Sequence, residues 1–491
     1  MGGKYIPVIG LEIHLQLKLG TKMFSPEGFT YGAISNTYIS PVTLAYPGAL
    51  PVVNKDAFVS AIKLGLNCGC KITNLNYFDR KNYFYPDLPK GYQISQNETP
   101  ICLGGRIYFS STDSEEKYID LTRIHIEEDT ANVKVVNDSD TILYNSAGDK
   151  IFIDYNRCGV ALLEIVTEPG FRSSDDVFYF LHELRRLVRF LDISNGNMEE
   201  GSLRCDVNIS IMPEGSNEYG QRIEVKNINS ISNVRNAINY EINRQAELLD
   251  SNKCIESETR MYIPENNTTR FMRLKESSSE YHYMREYDIL PIYISDDQIL
   301  EIKNNLPISP REYKKKLLNE YNLTEYISDI LLENIDLLHY FESLCKIENI
   351  KFITIANWII GPLKSLLNEY KIEVSELHIS NDDIVFLIKL VEENKINYLA
   401  ATQIVLKEML KNSGRSVIDI VNEFNLIQTS DEDYIKNLIS NILNDFPEKV
   451  NQYKKGKVGL LGFFIGEVMK RSEMKANPKV VDKIIRGILD N

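Results

Sequence analysis

The stretch NMEEGSLRCDVNISIMPEGSNEYGQRIEVKN, residues 197–227, contains two segments in which apolar and polar residues alternate. In residues 203–211 every second residue is apolar, and the residues between them are Arg, Asp, Asn and Ser. A period of two predicts a β-strand with one buried face. Residues 222–226 alternate in the same way, which predicts a second strand that pairs with the first as a hairpin.

The polar face of this predicted hairpin carries both signs of charge at close spacing. Arg204 and Asp206 lie on the first strand, and Glu224 and Lys226 lie on the second. Acids and bases on one face suit a cation and phosphate groups that are bound together. An outer sheet face held by salt bridges has the same composition, so the hairpin alone leaves both interpretations open.

A third predicted strand lies near the N-terminus, where residues 10–19 alternate again. Glu12 and His14 lie two positions apart on its polar face, a spacing that lets both side chains reach one metal ion. A pair of surface residues is the alternative.

Residues 119–129, IDLTRIHIEED, predict a further strand with a phase slip near Thr122. The strand ends in Glu127, Glu128 and Asp129. Successive acids repel one another unless a cation or basic groups offset their charge. Acids on three separate strands therefore favour a site for a divalent cation.

Residues 79–96, DRKNYFYPDLPKGYQISQ, combine basic and aromatic side chains. Because two Pro and a Gly fall within this stretch, we expect an irregular loop. Basic and aromatic residues that alternate on a loop suit phosphate groups and stacked bases. The alternative is a packed loop that uses tyrosine as filler.

Helical spacing predicts helices over residues 173–191, with Ser174 as the N-cap, and over residues 234–249. After Pro291 strand alternation ends, and Ile and Leu recur every three or four residues. An α+β N-terminal part followed by helices is therefore expected.

The composition is that of a soluble globular protein: 491 residues, 43% hydrophobic and 25% charged. No apolar run approaches the roughly 18 residues that a membrane span needs. No secretory signal is visible, so we predict a cytoplasmic protein that does not bind membranes. Seven scattered cysteines predict reduced thiols.

The charge is uneven along the chain. The net charge of −14 argues against non-specific nucleic-acid binding by the whole surface. Residues 449–486 nevertheless hold ten basic and three acidic residues, a local net charge of +7. This segment predicts contact with a polyanion, and a solvated helical surface is the alternative.

The sequence contains no G-x-x-x-x-G-K-[ST] loop, no H-E-x-x-H helix and no G-x-S-x-G turn. Any phosphate chemistry must therefore use the acids and the histidine on the predicted strands.

The chain resembles one family closely, the B subunits of the aspartyl/glutamyl-tRNA amidotransferases. The resemblance covers nearly the whole chain and rests on these motifs: GLEIHLQL (10–17), YPGALPVVN (46–54), DRKNYFYPDLPKGYQISQ (79–96), HIEEDT (125–130), DYNRCG (154–159), LLEIVTEP (162–169), MEEGSLRCDVNIS (198–210), EVKNINS (224–230), ETRMY (258–262) and GFFIGEVMKRSEMKANPKVVDKII (462–485).

The resemblance implies three domains in an α+β fold. Residues 1–293 are expected to form a cradle domain on an antiparallel sheet, with the kinase and transamidase activity. Residues 294–345 are expected to form a helical linker domain. Residues 346–491 are expected to form a helical C-terminal region whose small tail domain binds tRNA.

The resemblance also implies the reaction. With ATP and Mg²⁺, the family phosphorylates the side-chain carboxylate of Glu-tRNA(Gln) or Asp-tRNA(Asn). Ammonia from the amidase, which is the A subunit, then displaces the phosphate, and a small C subunit completes the heterotrimer. A tRNA-binding module without catalysis, in which the acids are structural, is the alternative, and the complete acid and histidine set disfavours it.

Carried over to this sequence, the family's metal site falls on His14, Glu128 and Glu224, with Glu12 beside it. Strand phase alone prefers Glu127, but the resemblance puts Glu128 first, and both acids stay candidates for the metal. The candidate contacts for phosphate or substrate are Arg80, Lys81, Tyr83, Tyr85, Arg204, Asp206 and Lys226.

The sequence departs from the family pattern in three places. It reads EEDTAN at 127–132, and it reads EYHYMREYD at 280–288 where two prolines are usual. Ser40 and Thr43 lie in the segment where some members carry zinc-binding cysteines, so we predict no zinc site.

Overall fold

A computed structural model describes residues 4–111, 116–136, 150–216, 218–274, 281–347, 350–412, 414–428, 432–472, 476 and 478–489. The chain divides into two units, Met1–Pro310 and Arg311–Asn491. All strands among the described residues lie in the first unit. The predicted combination of a large sheet with many helices is confirmed, while the division into three domains stays a prediction.

The strands of the first unit follow the chain in this order: β1 Tyr5–Gln16, β2 Lys71–Ile72, β3 Leu75–Asn76, β4 Asp79–Asn82, β5 Tyr92–Ser95, β6 Cys102–Leu103, β7 Arg106–Ser110, β8 Glu116–Glu128, β9 Asn132–Val136, β10 Lys150–Asp154, β11 Ala161–Thr167, β12 Leu203–Pro213, β13 Ile223–Lys226, β14 Glu258–Ile263, β15 Thr268–Leu274, β16 His282–Arg285 and β17 Ile292–Tyr293.

The helices follow as α1 Lys55–Asn67, α2 Ser174–Phe190, α3 Ile231–Asp250, α4 Asp296–Asn304, α5 Pro310–Asn319, α6 Glu325–Leu332, α7 Ile335–Cys345, α8 Phe352–Trp358, α9 Lys364–Tyr370, α10 Asn381–Glu392, α11 Tyr398–Ala400, α12 Leu406–Lys411, α13 Val417–Glu423, α14 Glu432–Asp445, α15 Pro447–Lys454, α16 Leu460–Arg471 and α17 Pro478–Leu489. π-Helical turns at Ile359–Leu363 and Ala401–Val405 interrupt the second unit. No helix in the described ranges has both the length and the hydropathy to cross a membrane.

One sheet of thirteen strands dominates the first unit, with the main order β15-β14-β13-β12-β1-β11-β8-β5-β4-β16. β12 and β13 pair antiparallel as predicted. The prediction of a purely antiparallel sheet is wrong at one pair, because β13 and β14 run parallel. A parallel pair needs a long crossover connection, and α3 provides it.

The apolar face of the central strands forms the core. Leu203, Cys205, Val207 and Ile209 of β12 are almost fully buried, and so are Ile9, Leu11, Ile13 and Leu15 of β1. Helices α2 and α3 cover this face. Burial of each leucine or isoleucine side chain stabilises the fold by about 1.5–3 kcal/mol. The apolar face therefore packs against the helices, and the polar face of the same strands points away from them.

Helix α2 begins one residue earlier than its predicted cap implied. The Ser173 side chain, and not that of Ser174, accepts a hydrogen bond from the Asp176 amide at 3.1 Å. Ser174 lies inside the helix and donates its hydroxyl to Asn239 at 2.7 Å. The two adjacent serines are indistinguishable in sequence, because either could satisfy an orphan N–H group.

The prediction of an irregular loop over residues 79–96 is wrong at both ends. β4 and β5 pair antiparallel there, with Lys81 opposite Gln93. Both prolines lie between the two strands, and Gly91 ends the connection with φ +74°. Proline and glycine therefore mark the turn of a hairpin rather than the whole stretch.

The basic C-terminal segment is packed rather than extended. Phe464 of α16 and Ile485 of α17 share a core with Ile435 and Ile439 of α14. The tail bundle therefore begins at α14, before the basic segment starts. Lys475 lies outside the described residues, as does the side chain of Lys479.

Ser40 and Thr43 belong to a buried polar cluster around Glu27. The Glu27 carboxylate accepts a hydrogen bond from Ser40 at 3.0 Å and another from Thr43. The fully buried ammonium of Lys22 lies 3.5 Å from the same carboxylate, and it donates to the Tyr38 carbonyl at 2.7 Å. The cluster ties the segment after β1 to the loop near residue 40.

We expect Glu27→Ala to lower the free energy of unfolding by about 3 kcal/mol, because it leaves Lys22 buried without its counter-charge. Lys18→Ala is the matched control, since its ion pair with Asp192 is exposed and should contribute less than about 1 kcal/mol. Urea denaturation of both variants measures the difference. Equal stabilities would show that the cluster does not hold this region together.

Candidate active site

The polar face of the sheet carries a row of titratable residues on four adjacent strands. His14 on β1 lies opposite Arg204 on β12 and opposite Glu164 on β11. Glu164 in turn lies opposite His125 on β8. Side chains at directly opposed positions are about 4.5–5.5 Å apart at Cβ. Glu164 therefore lies between the two histidines, and Arg204 lies on the far side of His14.

A second row runs beside the first. Glu12 on β1 lies opposite Asp206 on β12, and Asn208 lies opposite Glu224 on β13. The Lys226 ammonium donates to Asp206 and lies 3.5 Å from Glu224. Lys226 therefore offsets part of the negative charge that these strands bring together.

The two rows bring carboxylates and His14 into two groups, each of which could hold an ion. His14 Nε2 lies 3.3 Å from Glu127 and 3.6 Å from Glu164. Glu12, His14 and Asp206 each offer a donor atom within 4.8 Å of one another, and so do His14, Glu127 and Glu164. His14 belongs to both groups and links them.

Burial and charge set the protonation of this group. Burial alone would lower the pKa of His14, but the hydrogen bond to Glu127 and the charges of Glu127 and Glu164 raise it to about 9. Burial would raise the pKa of Glu164, but His125 and His14 hold it well below its usual range. Burial, together with the charge of Glu164, raises the pKa of Glu12.

Glu127 and Glu128 point to different places. Glu127 is buried beside His14. Glu128 accepts hydrogen bonds from the Lys90 ammonium and from the Ile94 amide, the latter at 2.9 Å. The structure therefore does not bring Glu128 into the group that the resemblance implied, and it places Glu127 where strand phase put it.

Arg204 lies in the first row, but its guanidinium is already paired. It lies 2.9 Å from Asp129, which is also 3.4 Å from Arg157. Arg80 points away from the rows as well, because it binds Glu286 through two hydrogen bonds of 2.7 Å. Both arginines hold elements together, and neither presents an unpaired guanidinium to the acids.

Lys81 points to the same side as the acids. Burial would lower the pKa of Lys81, but the charges of Glu127 and Glu164 raise it. Its ammonium lies 4.9 Å from the ring centre of Tyr281, which contacts the Tyr83 ring at 5.9 Å. Lys81 is thus held between acids and aromatic rings.

Tyr85 lies in the turn after β4 and is largely exposed. Its hydroxyl is 3.5 Å from a guanidinium nitrogen of Arg273 on β15. Since β4 and β15 lie near opposite ends of the strand order, this contact brings the two ends of the sheet together around the acids.

A cavity of about 780 Å³ opens over these residues. Side chains from both ends of the sheet and from its centre line it: Glu12, Lys81, Arg123, His125, Glu127, Glu164, Asn208, Arg222, Glu224, Lys226, Thr259, Arg273, Tyr281 and Tyr283. The volume lies within the range of small-molecule sites.

Sequence reasoning did not select Glu164 or the cavity arginines as site residues. A signal for Glu164 was present, because it is a lone acid inside the apolar strand run LLEIVT, where an unpaired charge is costly. Arg222 lay on the polar face of the predicted second strand with Glu224 and Lys226, but it was not selected. Arg273 comes to the cavity from the distant strand β15.

Two family models match the chain, the GatB/GatE catalytic domain over residues 7–300 and the GatB domain over residues 339–489. Relatives named as the B subunit of aspartyl/glutamyl-tRNA(Asn/Gln) amidotransferase match along nearly their whole length. The protein from Trichlorobacter lovleyi is 42% identical over 98% of this chain and 99% of its own. The protein from Salinibacter ruber is 40% identical over 99% of this chain and 97% of its own.

In the ligand-free protein we expect Glu127→Gln to lower the pKa of His14 by about 1 to 3, because burial then outweighs the remaining carboxylate. In the wild type the raised pKa stabilises the fold fully below about pH 6.5, and this contribution is lost as the pH rises through about 9. NMR titration of the histidine ring protons measures the pKa of His14 in the wild type and in Glu127→Gln.

The exposed acid Glu168 provides the control: Glu168→Gln should leave the His14 titration unchanged. His14→Gln assigns the resonance. A His14 that titrates alike in the wild type and in Glu127→Gln would contradict the geometry.

Proposed function

The chain belongs to the family of B subunits of the aspartyl/glutamyl-tRNA(Asn/Gln) amidotransferases, and we propose that it activates the side-chain carboxylate of Glu-tRNA(Gln), Asp-tRNA(Asn) or both. It is thus one chain of an amidotransferase, an enzyme of several chains. In the proposed reaction a carboxylate oxygen attacks the γ-phosphorus of ATP, and ADP leaves. Ammonia derived from glutamine then attacks the acyl carbon, and phosphate leaves.

The observation that carries the proposal is the convergence of carboxylates and His14 on one wall of a large cavity. A free carboxylate is a poor acyl donor because oxide is a poor leaving group, whereas an acyl phosphate releases phosphate. Transfer of the phosphoryl group depends mainly on positioning and on electrostatic stabilisation. Groups fixed on the adjacent strands of a sheet provide the rigid frame that this requires.

The donor set fits a hard divalent cation, because carboxylate oxygens are the ligands that Mg²⁺ prefers. His14 would hold it together with Glu12 and Asp206, or together with Glu127 and Glu164. Glu224 lines the same cavity and accepts a hydrogen bond from Thr259. When bound, Mg²⁺ neutralises phosphate charge and orients the phosphoryl group.

The bases near the acids have separate roles in this proposal. Lys226 holds Asp206 and Glu224 at fixed positions. Lys81, whose raised pKa keeps it protonated at neutral pH, offers its charge to a phosphate oxygen. Tyr83 and Tyr281 flank Lys81 and shield it from water.

The partners follow from the same proposal. The amidase, or A subunit, supplies ammonia, a small C subunit completes the complex, and the tail bundle contacts tRNA. A non-catalytic tRNA-binding module is the rival function, and the assay below separates the two.

We expect His14→Ala and Glu224→Ala to reduce ATP-dependent amidation by the assembled complex at least about a hundredfold. The reason is that the remaining charged groups, once displaced, no longer stabilise the transition state. Binding of tRNA should change less than about twofold, since phosphate contacts elsewhere dominate it. Product formation with Mg²⁺, ATP and ammonium chloride measures the first effect, and filter binding measures the second.

Glu168→Gln is the control for loss of an acid outside the cavity. If the wild-type complex converted neither misacylated tRNA, the rival function would be correct. Wild-type rates in both alanine variants at limiting Mg²⁺ would refute the assignment of the site.

The tail bundle gives an independent prediction. Replacing the exposed Lys454, Lys455 and Lys457 by alanine should weaken tRNA binding and flatten its salt dependence by about 0.7–0.9 for each phosphate that the bundle no longer neutralises. The matched control replaces three exposed lysines of other elements, Lys55, Lys71 and Lys351. Equal salt slopes in the two triple variants would place the tRNA surface elsewhere.

A further inference from the structure

The strand β8 contains a β-bulge that turns Arg123 into the cavity. Val166 on β11 lies opposite Arg123, but the next residue, Thr167, lies opposite Leu121. Thr122 is therefore the extra residue. Bulges of this kind redirect side chains and recur beside active sites.

Burial shows what the bulge does. Before it, the odd-numbered Ile119 and Leu121 face the core, and after it the even-numbered Ile124 and Ile126 do so. The odd-numbered Arg123 consequently shares the cavity side with His125 and Glu127. Without the extra residue Arg123 would lie on the core face, where a charged side chain is costly.

The Arg123 guanidinium can donate further hydrogen bonds. Its Nε atom is buried without a hydrogen-bond partner, and among the described residues no carboxylate lies within ion-pair distance. Its neighbours across the strands are Val166 and Leu103, whose side chains offer no acceptor. Arg204 and Lys226 differ, because each is already paired with an acid.

The phenol of Tyr283 and the ammonium of Lys81 line the same cavity as Arg123. The Tyr283 hydroxyl lies within electrostatic range of Arg123 and of Lys81, and all three line the cavity. A phenol hydroxyl and a guanidinium together donate enough hydrogen bonds for both oxygens of one anion.

We propose that Arg123 binds the side-chain carboxylate of the aminoacyl group and holds it for attack on the γ-phosphorus. The inference rests on the proposed function and adds a substrate-binding residue to it. The planar fork of arginine matches a carboxylate through two parallel hydrogen bonds. One guanidinium carries a single positive charge, so it can balance a monoanion beside Glu127 and Glu164. A triphosphate would need several cations there.

The role predicts discrimination between substrate and product, because the product carries an amide in place of the carboxylate. The wild-type complex should bind the misacylated tRNA that it amidates about ten- to a hundredfold more tightly than the amidated form. Arg123→Gln should abolish this preference and leave ATP affinity unchanged within twofold. Arg123→Lys, which keeps the charge but loses the fork, should retain only part of the preference.

Arg106→Gln is the matched control, because Arg106 is an exposed arginine on β7 that pairs with Asp120. Affinities for the two aminoacyl forms and for ATP are measured with the whole complex. An unchanged preference in Arg123→Gln and Arg123→Lys would overturn the inference, and a selective loss of ATP affinity would do so as well by making Arg123 a phosphate ligand. A wild-type complex that amidates no tRNA would instead overturn the proposed function, and the inference with it.

Discussion

The desolvation of charge on the central strands is the constraint on which the rest of the first unit depends. Carboxylates removed from water are costly unless partners offset them. Glu127 and Glu164 meet this condition through His14 and His125, at distances between 3.3 and 4.0 Å. Such pairing requires the three strands β1, β11 and β8 in one fixed register. The apolar face, packed under α2 and α3, fixes that register by making a slip of one residue expose the core.

The period of two predicted that Glu127 shares a face with His125, although the family resemblance put Glu128 first. It could not predict the register between strands far apart in sequence, so the opposition of His14 and Glu164 had no sequence signature. The hairpin of β4 and β5 was not predicted, because the two prolines and the glycine of its turn indicated an irregular loop and both strands are short. Glu164 was passed over because its apolar neighbours indicated a buried strand.

Irregular features of the sheet shape the cavity as much as its regular pairing does. The bulge at Thr122 shifts the alternation of β8 by one residue, so that Arg123 lies on the cavity side with His125 and Glu127. Between the parallel strands β13 and β14 the chain passes through α3, and β14 then pairs with β13 beside Glu224. The contact between Tyr85 and Arg273 then joins the two ends of the sheet. The bulge and the contact of Tyr85 place basic or aromatic side chains near the acids of the central strands, and the parallel pair brings the Thr259 hydroxyl to Glu224.

Charge balance links the protonation of the site to its proposed chemistry. With the proton that its raised pKa retains at neutral pH, His14 supplies a positive charge between Glu127 and Glu164. A cation among the same oxygens would supply that charge instead, so its binding and the release of this proton are coupled. An apolar wall could not hold these charges, and acids without basic partners would repel one another. His14, together with His125 and Lys226, thus explains how the folded protein keeps its carboxylates close together.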